Sequence, residues 1–294
     1  MKMNIPEPAR KIIDRLNEHG YEAYVVGGCV RDMILKREPG DWDITTSARP
    51  EQVKALFTRT LDTGIQHGTV TIMVGKEGYE VTTFRVDGDY TDGRHPDTVT
   101  FTPSLEEDLK RRDFTINAMA YNHNTGLVDI FGGREDIARK VIRCVGNPTE
   151  RFTEDALRIL RAIRFSAQLE FEIEDATRQA ITEIAPNLIH VSKERIQVEL
   201  TKLLLSDRPQ TMKLVYETGI SPYVSETFHK MGEMLADMPI TVPAKKALRW
   251  ALFLRKGTPE QAVRILRDLK LDNDTIYQLS LIHISEPTRP LYIS

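Results

Sequence analysis

The chain has 294 residues, of which 40 are basic and 43 acidic, for a net charge of −3. That balance excludes polyanion binding through overall charge, so any nucleic-acid site must be a local basic patch. With 40% hydrophobic and 28% charged residues, no apolar run long enough to cross a bilayer and only Cys29 and Cys144 as cysteines, the composition points to a soluble protein of the cytoplasm, without a membrane anchor or disulfide framework.

The first helix is expected from about Pro8 to Glu18, with Ala9, Ile12, Ile13 and Leu16 at helical spacing and Gly20 as its stop. "EAYVVGG" reads as a strand with a glycine turn, Val30 to Leu35 as a short helix, and "DWDITTS" as a second strand after Pro39-Gly40. "RPEQVKALF" is a helix with proline in its first turn. "GTVTIMVG" and "YEVTTFR" are strands joined as a hairpin by "KEG", and "TVTFT" is a further short strand. "VDGDYTDGRHPD", polar and glycine-containing, reads as a mobile loop. From Thr149 strand signals fade and helices are expected at about 151–167, 174–184, 192–205 and 208–218. The plan is a head of strands and helices followed by helices alone.

Four stretches can carry chemistry. Asp41 and Asp43 alternate in "DWDITTS", so on a strand both carboxylates share one face and repel. A hard divalent cation would relieve that repulsion, whereas a solvated turn is the plainer alternative. Gly27-Gly28 lets backbone N–H groups approach a phosphate, or simply makes a tight turn. Arg31 sits in a first helical turn, where the dipole disfavours a cation unless an anion is bound. Lys110, Arg111 and Arg112 form a basic cluster that suits phosphate, or an ordinary charged helix end. In "EDALRILRAIRF", Arg158, Arg161 and Arg164 recur every three residues among apolar ones. Such arginines need anionic or polar partners. Asp155 and Arg158 are one turn apart, placed either for a salt bridge or to read the Watson–Crick edge of a base. Lys193, Arg195 and Lys202 are candidate phosphate contacts or solvated helix faces. His67, His95 and His190 lack metal-ligand spacing, and Cys29, with no base paired to it in sequence, is expected to pack rather than react.

Taken in order, "VVGGCVRD", "GDWDITTS", "HGTVTIMV", "YEVTTFR", "LKRRDFTINAMAY", "DIFGGREDIARKVIRCVG" and "RFTEDALRILRAIRF" resemble the bacterial-type (class II) tRNA nucleotidyltransferase and poly(A) polymerase family. Weaker similarity continues through "VSKERIQVELTKLLL". The resemblance implies an α+β fold: a polymerase-β-type nucleotidyltransferase head of mixed sheet plus helices, then all-helical neck and partial body domains. It implies template-independent addition of C, C and A to the 3′ end of tRNA from CTP and ATP, with Mg²⁺ as cofactor. It makes Asp41 and Asp43 the catalytic, metal-binding acids and Glu80 a possible third. It assigns Gly28, Arg31, Arg112, Asp155, Arg158, Arg161 and Arg164 to the nucleotide. Retention of Ala156-Leu157-Arg158 favours tRNA end addition over poly(A) synthesis, and an intact "RVDGDYTDGRHPD" favours full CCA addition over CC alone. An A-adding enzyme stays open.

The expected divisions are 1–138 for the catalytic head, 139–205 for the nucleotide-selecting neck and 206–278 for a shortened body. The closing "LSLIHISEPTRPLYIS" fits no helix continuing from "DNDTIYQ" and resembles an in-frame translated sequencing adapter, so 279–294 is expected to be a non-native tail. Family members are longer, which sets a nucleotide-binding chain that does not process tRNA beside the enzyme.

Overall fold

The computed structural model describes residues 3–88, 98–234 and 242–285. They form two compact units that divide between Arg151 and Phe152. Part of the glycine-containing loop, His95 with it, and the end of the chain lie outside the described residues. Among the described residues no helix is long and apolar enough to cross a membrane.

The first unit is built on a seven-stranded sheet, ordered β3-β4-β5-β2-β1-β8-β9. Helix α1 (Glu7–Glu18) buries the four residues its periodicity marked, Ala9, Ile12, Ile13 and Leu16. Gly20, at φ 83°, closes it by directing the Tyr21 N–H back to the Leu16 carbonyl. β1 (Ala23–Val26) lies inside the sheet, antiparallel to β2 (Ile44–Thr46) on one side and to β8 (Met119–Asn122) on the other. Between β1 and β2 the chain turns through α2 (Gly28–Ile34). β2 then runs parallel to β5 (Glu77–Thr83), with Ile44 opposite Val81. That pairing requires the crossover made by α3 (Pro50–Leu56), β3 (Thr60–Gly64) and β4 (Thr69–Val74). β6 (Arg85–Asp87) pairs separately with β7 (Val99–Phe101). Then come α4 (Leu105–Lys110), β9 (Gly126–Asp129), antiparallel to β8, and α5 (Gly133–Arg139).

Three sequence expectations change here. The β4–β5 hairpin turns at Gly75-Lys76, because Val74 already pairs with Glu77. Gly75 takes the positive φ of 64° that a two-residue hairpin needs at its first position, so Glu77 and Gly78 belong to the strand. β3 was not visible in "TLDTG", since it carries an exposed polar edge with no alternation to read. The strand expected from Asp41 begins only at Ile44. After Pro39-Gly40 the chain joins the ladder through the Asp43 carbonyl, which accepts from the Val26 N–H at 3.0 Å.

α6 (Pro148–Glu154) spans the division. The second unit continues with α7 (Leu157–Leu169), α8 (Asp175–Ile184), α9 (Lys193–Leu204), α10 (Lys213–Glu217), α11 (Ser221–Val224), α12 (Glu226–Lys230), α13 (Lys246–Phe253), α14 (Pro259–Asp268) and α15 (Asn273–Ser285). Among its described residues, only Glu172–Ile173 is strand. The single helix expected over 151–167 is two, and the helix expected to stop at Gln278 instead continues as α15 to Ser285. The Asp155 carboxylate accepts the Leu157 N–H at 3.0 Å, starting α7 afresh as a side-chain cap does. α7 packs on α9, while Trp250, Phe228 and Phe253 fill a core further along.

Arg249 is 4% exposed and has no carboxylate among its described contacts. Its guanidinium donates instead to the carbonyls of Leu204 and Ser206, just past α9, and of Val242 and Pro243. Four carbonyl acceptors thus converge on one side chain. Arg249→Ala is expected to destabilise the chain by roughly 2–4 kcal/mol. Urea unfolding followed by circular dichroism checks this, with Arg249→Lys recovering only part of the loss because an ammonium cannot span the four carbonyls.

Candidate active site

β1 and β2 bring the glycine turn and the acid pair to one end of the sheet. Gly27 holds φ 80° and ψ −131°, a conformation that only glycine adopts freely. A Cβ there would lie 3.2 Å from Nη1 of Arg112. The Gly27-Gly28 backbone and the Arg112 guanidinium are therefore in close approach. Arg31 is fixed from α2: its Nη1 donates to Asn117 Oδ1 at 2.8 Å and its Nε to Asp32 at 2.9 Å. Asn117 is held in turn by Nδ2 donating to Asp113 Oδ1 at 3.3 Å.

Arg112 is set by a carboxylate that sequence reasoning passed over. Asp108 is fully buried, and its side chain accepts from Thr45 Oγ1 (3.0 Å), the Arg85 N–H (3.3 Å) and Arg111 Nε (3.1 Å). Arg112 Nη2 stands 3.5 Å from Oδ2, the oxygen that also accepts from Thr45. Burial alone would raise the Asp108 pKa, but Arg111 and Arg112 outweigh it and hold the carboxyl below its ordinary value. The signal was present in the spacing: Asp108 precedes Arg111 and Arg112 by three and four residues, the helical contact distances. Asn117 carried no such local signal. Arg112 is mostly buried, and its Nε has no hydrogen-bond partner among the described residues.

Asp41 and Asp43 open onto a cavity of about 710 Å³ whose wall also includes Pro6, Trp42, Glu77 and Glu80. Asp43 faces this opening with protein behind it. That burial pushes its carboxyl above the usual range, and Asp41 adds to the rise while Arg112 opposes it. Glu80 is raised by burial, then by Asp43 and Asp41. The three acids therefore sense one another, although among the described residues no three such groups already converge on a metal-binding arrangement. Their chemistry fits a hard cation: oxygen donors only, with repulsion that a positive charge would relieve. Cys29 is 3% exposed, its thiol is pushed up to about 12 by burial first, and it packs as expected.

In the second unit, Asp155 accepts from Arg195 Nη2 at 2.7 Å while capping α7 with its other oxygen. Arg158 Nη1 donates to Glu154 at 2.6 Å. Arg161 lies over the Phe165 ring at 5.4 Å. Arg164 is buried, with Nε on Glu199 at 2.5 Å and Nη1 on Gln168 at 2.8 Å. Two suggested phosphate contacts have internal roles. Arg195 holds Asp155, and Lys193 Nζ donates to the Tyr223 and Val224 carbonyls at the end of α11.

A mixed sheet with a glycine turn, paired acids and flanking arginines, preceding a helical unit, is the plan of a polymerase-β-type nucleotidyltransferase head with helical domains. The Poly A polymerase head domain family matches residues 23–143, and the family described as a probable RNA and SrmB-binding site of polymerase A matches 170–231. The chain is 45% identical over 279 residues to the CCA-adding enzyme of Geobacillus stearothermophilus, covering 94% of this chain and 69% of the relative. It is 53% identical over 218 residues to that of Limosilactobacillus reuteri (strain DSM 20016), covering 74% of this chain and 54% of the relative. The crystal structure of the Bacillus stearothermophilus CCA-adding enzyme in complex with CTP superposes with a TM-score of 0.85 at 41% identity, over 96% of this chain and 70% of that one. The chain thus spans between about half and two thirds of the length of these relatives. It belongs to the tRNA nucleotidyltransferase and poly(A) polymerase family.

Asp108→Asn is expected to cost about 3–5 kcal/mol, because it removes the buried charge that faces Arg111 and Arg112. The depressed carboxyl also predicts a pH signature. Its stabilisation is complete above about pH 4, the unfolded value, and is lost as pH falls through the lower folded one. Urea midpoints measured from pH 6 to pH 3 are expected to fall more steeply for the parent chain than for Asp108→Asn.

Proposed function

We propose that the chain adds C, C and A to the 3′ end of tRNA, taking CTP and ATP one at a time without a nucleic-acid template. The observation that carries this reading is the meeting, at one sheet end, of the acid pair with Gly27-Gly28 and Arg112. The likeness to a CTP-bound relative supports it. Asp41 and Asp43, with Glu80 beside them, would hold Mg²⁺. In the two-metal arrangement, Mg²⁺ supplies activation of the RNA 3′-hydroxyl and neutralisation of the departing pyrophosphate.

The remaining work falls to the chain's own groups. The Gly27-Gly28 backbone and the guanidinium groups of Arg31 and Arg112 hold the triphosphate so that its α-phosphate meets the 3′-hydroxyl in line. The unmet donor capacity of Arg112 suits a phosphate oxygen. The 3′-oxygen bonds to the α-phosphorus as the bond to the β-phosphate oxygen breaks, and pyrophosphate leaves. Residues 1–138 serve as the head in this scheme, 139–205 as the neck and 206–278 as the body.

Selection is assigned to Asp155 and Arg158. Cytosine and adenine each offer an amino donor beside a ring-nitrogen acceptor, matching a carboxylate beside a guanidinium. Uracil reverses that pattern. Arg195 and Glu154 hold the two reading groups, Arg161 stays with the nucleotide-facing set, and Arg164, bound to Glu199, supports α7 from inside.

Incorporation of labelled CTP into a tRNA transcript lacking its CCA end tests the reading. Asp43→Ala is expected to lose more than about 100-fold in rate, beyond the upper end of losing a mere outer-shell partner. Normal incorporation by that variant refutes the assignment. Arg195→Ala is expected to keep the fold but lower the preference for CTP over UTP by about tenfold, measured as the ratio of kcat/KM values.

A further inference from the structure

A second cavity, of about 550 Å³, adjoins the acid-lined one. Trp42 and Pro6 line both. Trp42 is thus the partition between them, set in sequence between the two acids. The two sides differ in chemistry. The first carries Asp41, Asp43, Glu77 and Glu80, and repels RNA phosphates. The second has an apolar wall from Met3, Pro6 and Met33, with exposed Lys36 and Arg37 at its rim against one acid, Glu38.

The rim is built by the end of α2. The Arg37 N–H returns to the Asp32 carbonyl at 2.8 Å and the Lys36 N–H to Met33 at 3.1 Å. This is the helix-ending motif that normally uses glycine in the left-handed conformation. Here Lys36 takes it, at φ 57°. A backbone position that favours glycine therefore carries a cation at the mouth of the second cavity. A flat half-buried aromatic ring beside an apolar wall and a cationic edge has the parts that single-stranded nucleic acid requires: a stacking surface and a track for phosphate.

We propose that this second cavity receives the 3′-terminal nucleotides of the RNA substrate, with a base stacked on Trp42 and the adjoining phosphate beside Lys36 and Arg37. The inference deepens the tRNA reading and rests on it. The acid-lined cavity repels a phosphate backbone, whereas the basic rim of the adjoining cavity attracts one.

The chain provides its own probe. It has two tryptophans, and the other, Trp250, is fully buried with its Nε1 on Thr201. An RNA hairpin with a single-stranded 3′ overhang is titrated into the 294-residue chain, without metal or nucleotide, and tryptophan emission is read beside a gel-shift isotherm. The proposal expects saturable quenching that disappears in Trp42→Phe. Trp42→Ala should weaken RNA binding about tenfold, as for loss of one base–aromatic stack, and Trp42→Phe should restore most of it. Lys36→Gly should melt at a higher temperature yet bind RNA more weakly, with a salt dependence reduced by about one charge. Hairpin binding with unchanged emission, and with Trp42→Ala as tight as the parent, overturns the inference and leaves the tRNA reading standing. No binding of the hairpin in any assay overturns both.

Discussion

Burying a lone carboxylate costs several kcal/mol, and Asp108 is buried completely. The site is organised around the groups that offset this cost. Thr45 donates to Asp108 from β2, two residues after Asp43. Arg111 and Arg112 approach from the end of α4, and the Arg85 N–H from β6. One anion therefore couples the strand that follows the acid pair to the arginine that faces the glycine turn. Gly27 is then favoured as glycine, because its φ of 80° strains any other residue and a Cβ there would press on Arg112 Nη1 at 3.2 Å. Without Asp108, the strand that follows the acids and the Arg112 guanidinium would have no common anchor.

The second unit repeats this logic with different parts. Asp155 caps α7 with one oxygen and receives Arg195 with the other. A carboxylate with both oxygens engaged loses its rotamer freedom, so Asp155 is held in one orientation. The cap also explains the break between α6 and α7. Arg164 and Glu199 join α7 to α9 from within, so Arg158 stands on a helix held by its neighbour.

Much of this was legible in the sequence, and the failures share a cause. Helical periodicity located α1 to the residue on its buried face, and the motif series located the family. The acid pair was recognised, but not that the ladder starts at the Asp43 carbonyl, because that depends on a partner strand and not on Asp43's own neighbours. The interruption at Asp155 was hidden because periodicity reports a helix's apolar face and not a side chain recapturing a backbone N–H. The partnership of Thr45 with Asp108 spans 63 residues and has no local trace. Arg195 and Lys193 looked like surface cations because their partners, Asp155 and the α11 carbonyls, are brought to them only by folding.

The most direct test of the central claim is the product ladder from tRNA transcripts that end before the CCA, after C and after CC. Each is incubated with the chain, Mg²⁺ and CTP, ATP or both, and resolved at single-nucleotide length. The account predicts stepwise growth to CCA and then a stop, with CTP alone halting after two additions and ATP alone extending only the CC-ended transcript. Long A tracts, or no extension of any transcript while CTP still binds, would contradict it.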